Sequence, residues 1–179
     1  MTDSYRLFDT AIGRCALLWR GDKISGVLLP AATDDAMRKA IARRKAGAAE
    51  AEPPVFVRSI IDRIISLCRG EPAAFEKAPL DRDTIHPLAN RVYEILLRVP
   101  FGETTTYGAI AAELGDKALS RAVGAALGTN PFPIVIPCHR VIAAGGGMGG
   151  FSAPGGTGAK RRLLEIEGAF RAETLPLFR

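Results

Sequence analysis

Cysteine is scarce in this sequence and scattered. Cys15, Cys68 and Cys138 are odd in number, far apart and without a CxxC pair, which excludes a disulfide framework and fits a reducing compartment, the cytoplasm. Histidine is scarcer still, with only His86 and His139. A structural zinc in the first half would need about four Cys/His ligands where only Cys15, Cys68 and His86 are at hand, so no metal is expected. No apolar stretch approaches the ~20 residues that cross a bilayer, and Met1-Thr2-Asp3-Ser4 has no charged-then-apolar signal pattern, so no membrane is expected as a partner. There is no polybasic tail either. The net charge of +5 permits nucleic-acid binding without establishing it. The cluster Arg38, Lys39, Arg43, Arg44, Lys45 reads as a solvated helix face that could touch phosphate. What is present is 47% hydrophobic content over 179 residues, enough for one ordinary core or two small ones.

Segments 11–19 and 24–29 flank Arg20-Gly21-Asp22-Lys23 and predict a β-hairpin. Thr33 is a candidate N-cap for a helix running to about Lys45. Residues 47–52 read as a loop, and Val55 to Cys68 as a helix closed by Arg69-Gly70. Cys15 and Cys68 read as core residues. After a Pro- and charge-rich crossing from Gly70 to Leu80, Val92, Ile95, Leu96 and Val99 mark one face of an apolar helix stopped by Pro100-Phe101-Gly102. The run Thr104-Thr105-Thr106 can cap a helix from Tyr107 to Leu114, Gly115 turns the chain, and a second helix follows over Ala118 to Leu127. Two short helices joined through glycine form the helix-turn-helix pattern, or simply two packed helices. The second helix lacks a major-groove reader's Gln, Asn or Lys. It offers Ala118, Ser120, Ala122, Gly124, Ala125 and one Arg121, which a partner such as Glu113 or Asp116 could also occupy.

The most informative run is Ile134-Val135-Ile136-Pro137-Cys138-His139-Arg140-Val141-Ile142, a buried-strand pattern interrupted by a thiol and an imidazole. A thiol attacks as thiolate, and an ordinary cysteine has a pKa of about 8.5, so something must take its proton. His139 is the nearest candidate. On an extended strand it would face away from Cys138, so contact needs a bend, for which Pro137 gives a reason, or a bridging water.

Around this run stand Tyr107-Gly108-Ala109-Ile110-Ala111-Ala112-Glu113-Leu114-Gly115, Arg121-Ala122-Val123-Gly124-Ala125-Ala126, Asn130-Pro131 and Gly149-Gly150-Phe151-Ser152. Together with Pro-Cys-His-Arg-Val they resemble the O6-alkylguanine-DNA alkyltransferases, most densely from Pro79 to Gly168. The resemblance implies an α/β N-terminal domain over residues 1–80, ribonuclease-H-like with a small antiparallel sheet plus helices. A mainly helical C-terminal domain with a helix-turn-helix would follow over 81–179. It implies a single-turnover DNA repair methyltransferase, monomeric and without cofactor, acting on double-stranded DNA from the minor groove with little regard to sequence.

By the same resemblance, the damaged guanine is rotated out of the stack and Arg121 takes its place, with Ala122, Gly124, Ala125, Thr105 and Thr106 against the DNA. Cys138 attacks the alkyl carbon, His139 takes the thiol proton through water with Glu167 behind it, and Asn130 orders the backbone nearby. Tyr107 donates to the purine ring, and Val141, Phe151 and Ser152 help form the base pocket. Phe151 stands where relatives usually carry tyrosine, Tyr93 where they carry tryptophan, and the loop from Ser152 to Gly158 is about two residues longer. Gly145 to Gly150 invites a phosphate-loop reading, but Gly158-Ala159-Lys160-Arg161 lacks the Gly-Lys-Ser/Thr ending. Lys160-Arg161-Arg162 opens a closing helix stopped by Gly168, and this triplet could meet phosphate or solvent. Two other activities stay open: a lesion-binding protein that flips damaged bases without reacting, and a cysteine hydrolase, for which no oxyanion site is evident.

Overall fold

The computed structural model describes residues 2–170; the last nine residues of the expected C-terminal domain, 171–179, lie outside them. A strand that the sequence pattern does not predict, β1 (Ser4–Thr10), precedes the expected hairpin of β2 (Gly13–Arg20) and β3 (Lys23–Leu28) and makes it a three-stranded meander, in which Ala11 and Ile12 form a turn rather than strand. Gly13, at φ +123°, takes the positive φ that this turn demands. A short β4 (Ala49–Glu50), in the segment expected as loop, adds alongside β1 in parallel, so the sheet is mixed and its order is β3-β2-β1-β4. Both faces of β2 are buried. Cys15, Leu17 and Trp19 point into the main core, and Ala16 and Leu18 into a smaller one with Met37 and Ile41, the period-two alternation of a strand covered on both sides.

Helix α1 (Asp34–Arg44) supplies Met37 and Ile41, with the Thr33 hydroxyl accepting from the Ala36 amide at 3.1 Å as its cap. Helix α2 (Val55–Cys68) buries Val57, Ile60, Ile61, Ile64, Leu67 and Cys68 in the main core. From Phe8 to Leu163, that core is continuous through both halves of the chain. The linker joins the sheet rather than spanning space. Ile24 donates to the Pro79 carbonyl at 2.7 Å and accepts from Asp81 at 2.8 Å, while Arg20 pairs with Asp81 at 2.5 Å and Lys23 with Asp83 at 2.8 Å.

His86 caps α3 (Pro87–Leu97), its Nδ1 accepting from Leu88 at 3.2 Å. Tyr93, buried inside α3, donates its hydroxyl to the Ala126 carbonyl at 2.8 Å, a polar anchor inside an apolar interface. Thr106 caps α4 (Tyr107–Glu113) through Ala109 at 3.1 Å. Gly115, at φ +102°, reverses the chain into a 3-10 turn over Lys117–Leu119 and then α5 (Ser120–Gly128), which starts two residues later than its pattern predicts. β5 (Thr105–Thr106) pairs in parallel with β6 (Val141–Ile142). The last helix among the described residues, α6 (Gly156–Ile166), begins four residues before Lys160, so the basic triplet lies inside it rather than at its start.

Candidate active site

The run expected as strand is a strand only at Val141–Ile142. Ile134 and Val135 form a tight turn, closed by the Ile136 amide donating to the Phe132 carbonyl at 2.8 Å, and after Pro137 residues Cys138–Arg140 form one turn of 3-10 helix, with Arg140 donating to the Pro137 carbonyl at 2.9 Å. Four positions before Cys138, Ile134 holds φ +72°, which a β-branched side chain rarely adopts. Asn130 fixes this backbone. Its amide donates to the Ile136 carbonyl at 3.0 Å and its oxygen accepts from the Phe132 amide at 2.9 Å. The neighbouring Pro131 carbonyl accepts from Val27 of β3 at 2.9 Å, so the sheet braces the turn that carries the thiol.

Cys138 borders a cavity of about 420 Å³ lined by Tyr107, Gly124, Leu127, Gly128, Gly150, Phe151 and Ser152, a size that suits one flat ligand. Tyr107 stands half-buried at the first turn of α4. Gly149, at φ +68°, lies so close that a Cβ there would meet the Tyr107 hydroxyl at 2.8 Å, which explains why this rim is glycine. Burial pushes the Tyr107 hydroxyl above its ordinary pKa, and the Gly150 backbone beside it works the other way. Phe151 is half-buried, and the exposed Ser152 spends its hydroxyl on the Gly128 carbonyl at 2.9 Å. Val141 is wholly buried in β6 and does not line the cavity.

Behind the thiol, the 3-10 turn aims His139 away from the cavity wall. His139 Nε2 lies 2.8 Å from Glu167 Oε1. Arg140 grips the same carboxylate at 2.9 Å through Nε and 3.0 Å through Nη2, and donates from Nη1 to the Val99 carbonyl at 2.6 Å. The Gly102 amide adds a fourth donor to Glu167 at 3.3 Å. Burial opposes ionisation of Glu167, but the hydrogen bonds and charges of His139 and Arg140 outweigh it and hold the carboxyl down at about 2. Burial lowers the pKa of His139 against the pull of Glu167, so the imidazole is neutral. An ionised Glu167 selects the tautomer with its proton on Nε2 and leaves Nδ1 an acceptor. That Nδ1 is buried and has no partner among the described residues. Burial pushes the Cys138 thiol above its ordinary value, while the Asn130 amide and the Lys160 charge work the other way. The arrangement can take a proton from sulfur, directly or across one water, at a group already oriented by a fixed anion.

Sequence reasoning missed Arg140 and Lys160. Lys160 is fully buried, its ammonium on the Val141 carbonyl at 2.5 Å and the Gly150 carbonyl at 3.2 Å, so of the basic triplet it meets neither phosphate nor solvent. Arg161 pairs with Glu165 at 2.8 Å, and Arg162 donates to the Ala11 carbonyl at 2.6 Å. On the outer face, Arg121 is exposed and forms no ion pair among the described residues. Glu113 is engaged by Arg98, and Asp116 by the Ala118 amide at 2.8 Å. Ala122 and Gly124 are half-buried and Ala125 is exposed on the same helix. Thr105 and Thr106, half-buried, are held in β5 and in the cap of α4.

The profile of a family described as "6-O-methylguanine DNA methyltransferase, DNA binding domain" matches residues 87–169. The chain is 34% identical over 174 residues to the methylated-DNA–protein-cysteine methyltransferase of Mycobacterium bovis, covering 97% of this chain and 98% of that one. To the protein of that name from Methanothermobacter thermautotrophicus it is 38% identical over 119 residues, 66% of this chain and 65% of the relative. A DNA base-flipping protein of Thermus thermophilus is 42% identical over 120 residues, 67% and 78% of the two chains. Among solved structures, the Mycobacterium tuberculosis OGT in complex with DNA superposes with a TM-score of 0.72 at 31% identity, covering 92% of each chain.

Proposed function

The chain belongs to the O6-methylguanine-DNA methyltransferase family, and from that premise we propose that it repairs DNA by moving the alkyl group of O6-methylguanine onto its own Cys138, once per molecule. The observation that carries this reading is the unpartnered His139 Nδ1 behind a thiol that borders a base-sized cavity, with Glu167 ionised at the far side of the ring.

The thiol proton passes to His139 Nδ1. The sulfur lone pair forms the S–C bond in line with the departing oxygen, the C–O6 electron pair stays with guanine, and Tyr107 donates to the purine as negative charge develops there. Asn130 holds the thiol turn, while Phe151 and Ser152 wall the pocket. Nothing in the site removes the resulting thioether, so the reaction stops at one equivalent.

Helix α4, the Gly115 turn and α5 serve as a helix-turn-helix. Helix α5 enters the minor groove on its small residues Ala122, Gly124 and Ala125, Thr105 and Thr106 lie near the backbone, and Arg121 fills the space of the rotated base. The small face lets backbone approach the groove without reading sequence, which suits damage that can arise anywhere. The supporting α/β domain is assigned to residues 1–80 and the reactive one to 81–179, in a monomer. Its three free cysteines are at home in a reducing cytoplasm.

Intact-protein and peptide mass spectrometry after mixing with excess O6-methylguanine duplex tests the assignment, with Cys138→Ala as control. One methyl on the Cys138 peptide, and no more, is the expected result. No added mass together with a shifted DNA band would make this chain a base-flipping recognition protein, the activity named for the Thermus relative.

A further inference from the structure

Among the described residues Lys160 is the one cationic side chain with no accessible surface at all. Its ammonium rests on two carbonyl oxygens, of Val141 and Gly150. The nearby acids of α6 and its cap are committed elsewhere, Glu165 to Arg161 and Glu167 to His139 and Arg140. A buried ammonium without an anion is costly, and carbonyl dipoles offset only part of that cost. The candidate anion is Cys138, three residues before Val141 and on the same cavity wall as Gly150. The influence is mutual: Lys160 favours the ionised sulfur, and that charge opposes the burial that lowers the pKa of Lys160.

We propose that Lys160 is the buried counter-charge of the Cys138 thiolate, a positioning residue that makes the nucleophile available while tying β6 to the Gly149–Gly150 rim. The inference rests on Cys138 being the alkyl acceptor. Lys160 neither gives nor takes a proton. When the thiol proton goes to His139, the ammonium matches the charge left on sulfur; when the sulfur lone pair forms the bond to carbon and guanine leaves with the C–O6 pair, that match ends. The other groups facing Cys138 are His139 on its own turn, the Asn130 amide after α5, Tyr93 of α3, Tyr107 of α4 and, across an adjoining chamber, Arg44 of α1. Of these, Lys160 is the charge that favours the thiolate.

The test is the rate at which iodoacetamide labels Cys138 as a function of pH, without DNA, in the full chain and in Lys160→Met and Lys160→Gln, read by peptide mass spectrometry. Cys15 and Cys68, pushed up by burial to about 12 and about 11, stay silent near neutrality. Gln can still donate to both carbonyls, so it keeps the tether and removes the charge. Both variants should lose about tenfold in labelling at pH 7, the consequence of a one-unit rise in the thiol pKa, and regain it at higher pH, with methyl transfer falling in parallel. A wild-type profile in Lys160→Gln would overturn the proposal and leave a tether only. A loss that high pH does not restore would overturn it too. Should both variants unfold, the wild type decides by NMR of the Lys160 ammonium: its pKa should drop once Cys138 is methylated, and an unchanged value overturns the assignment. Labelling that depends on Lys160 in a protein that never accepts methyl would sink the acceptor assignment instead.

Discussion

Glu167 accepts from four donors with two oxygens, and that saturation fixes the tautomer and orientation of His139. Glu167→Gln replaces one acceptor oxygen with an NH2 group, so either Arg140 or His139 faces a donor and the imidazole tautomer is no longer enforced. Transfer should slow at least tenfold in rapid-quench assays while lesion affinity stays within about twofold. Urea unfolding should show a loss of about 3 kcal/mol, the usual result of leaving a buried cation unmatched. An unchanged transfer rate would leave His139 without its partner. Gly149→Ala sets a methyl 2.8 Å from the Tyr107 hydroxyl at a backbone angle that L residues avoid. Single-turnover transfer should fall about tenfold, and wild-type kinetics would remove Tyr107 from the chemistry. Cys138 and His139 were legible because a polar pair inside an apolar run needs a reason. Arg140 and Lys160 were not. Arg140 looks like the polar end of that run, and Lys160 like part of a solvated triplet; burial of a long cation becomes visible only when the carbonyls it meets, forty-one residues away for Val99, are brought to it. The signal for Arg140 was the acid itself, since a buried Glu167 calls for more positive charge than one neutral imidazole.

At the scale of elements, the helices were the readable part. Val55–Cys68 ends where its apolar spacing and Gly70 say it should, and Thr33 and Thr106 cap the helices that follow them. The strands were less so. β1 carries polar residues among its apolar ones, and β4 is two residues long with both side chains exposed, so neither announces itself by pattern; β4 exists because β1 offers an open edge. The thiol turn was hidden by its own hydrophobicity, which suits a buried strand and a buried 3-10 turn equally. Helix α5 carries the element-scale prediction. Arg121→Ala should slow transfer at a paired lesion about tenfold or more, and less at a mismatched one, because base rotation costs less where pairing is already weak. Equal losses at both sites, measured on duplexes differing only in the opposing base, would contradict the role given to this arginine.

For the whole molecule, the buried Arg140–Glu167–His139 cluster couples the site to pH. His139 has a pKa lowered from 6.5, so stability begins to fall as pH drops below that value and the folded state resists the proton that the unfolded chain accepts. Glu167, lowered from 4.5 to about 2, adds a contribution that is complete above 4.5 and is lost as pH falls through that window. Urea midpoints measured from pH 7 to 3 should therefore decline throughout. Glu167→Gln should flatten the lower limb, and a parallel decline in that variant would place acid sensitivity elsewhere. The position of Glu167 has a further consequence in time. The ribosome delivers the thiol before the acid that orients His139, which stands 28 positions further along the chain than that histidine, a delay on the order of seconds at the usual pace of synthesis. A nascent chain that has emerged only through Gly150 holds a complete meander and an intact Cys138, but no carboxylate for His139 and no ammonium from α6. A protein that each reaction consumes is thus armed only when α6 and its cap, Glu167, have emerged.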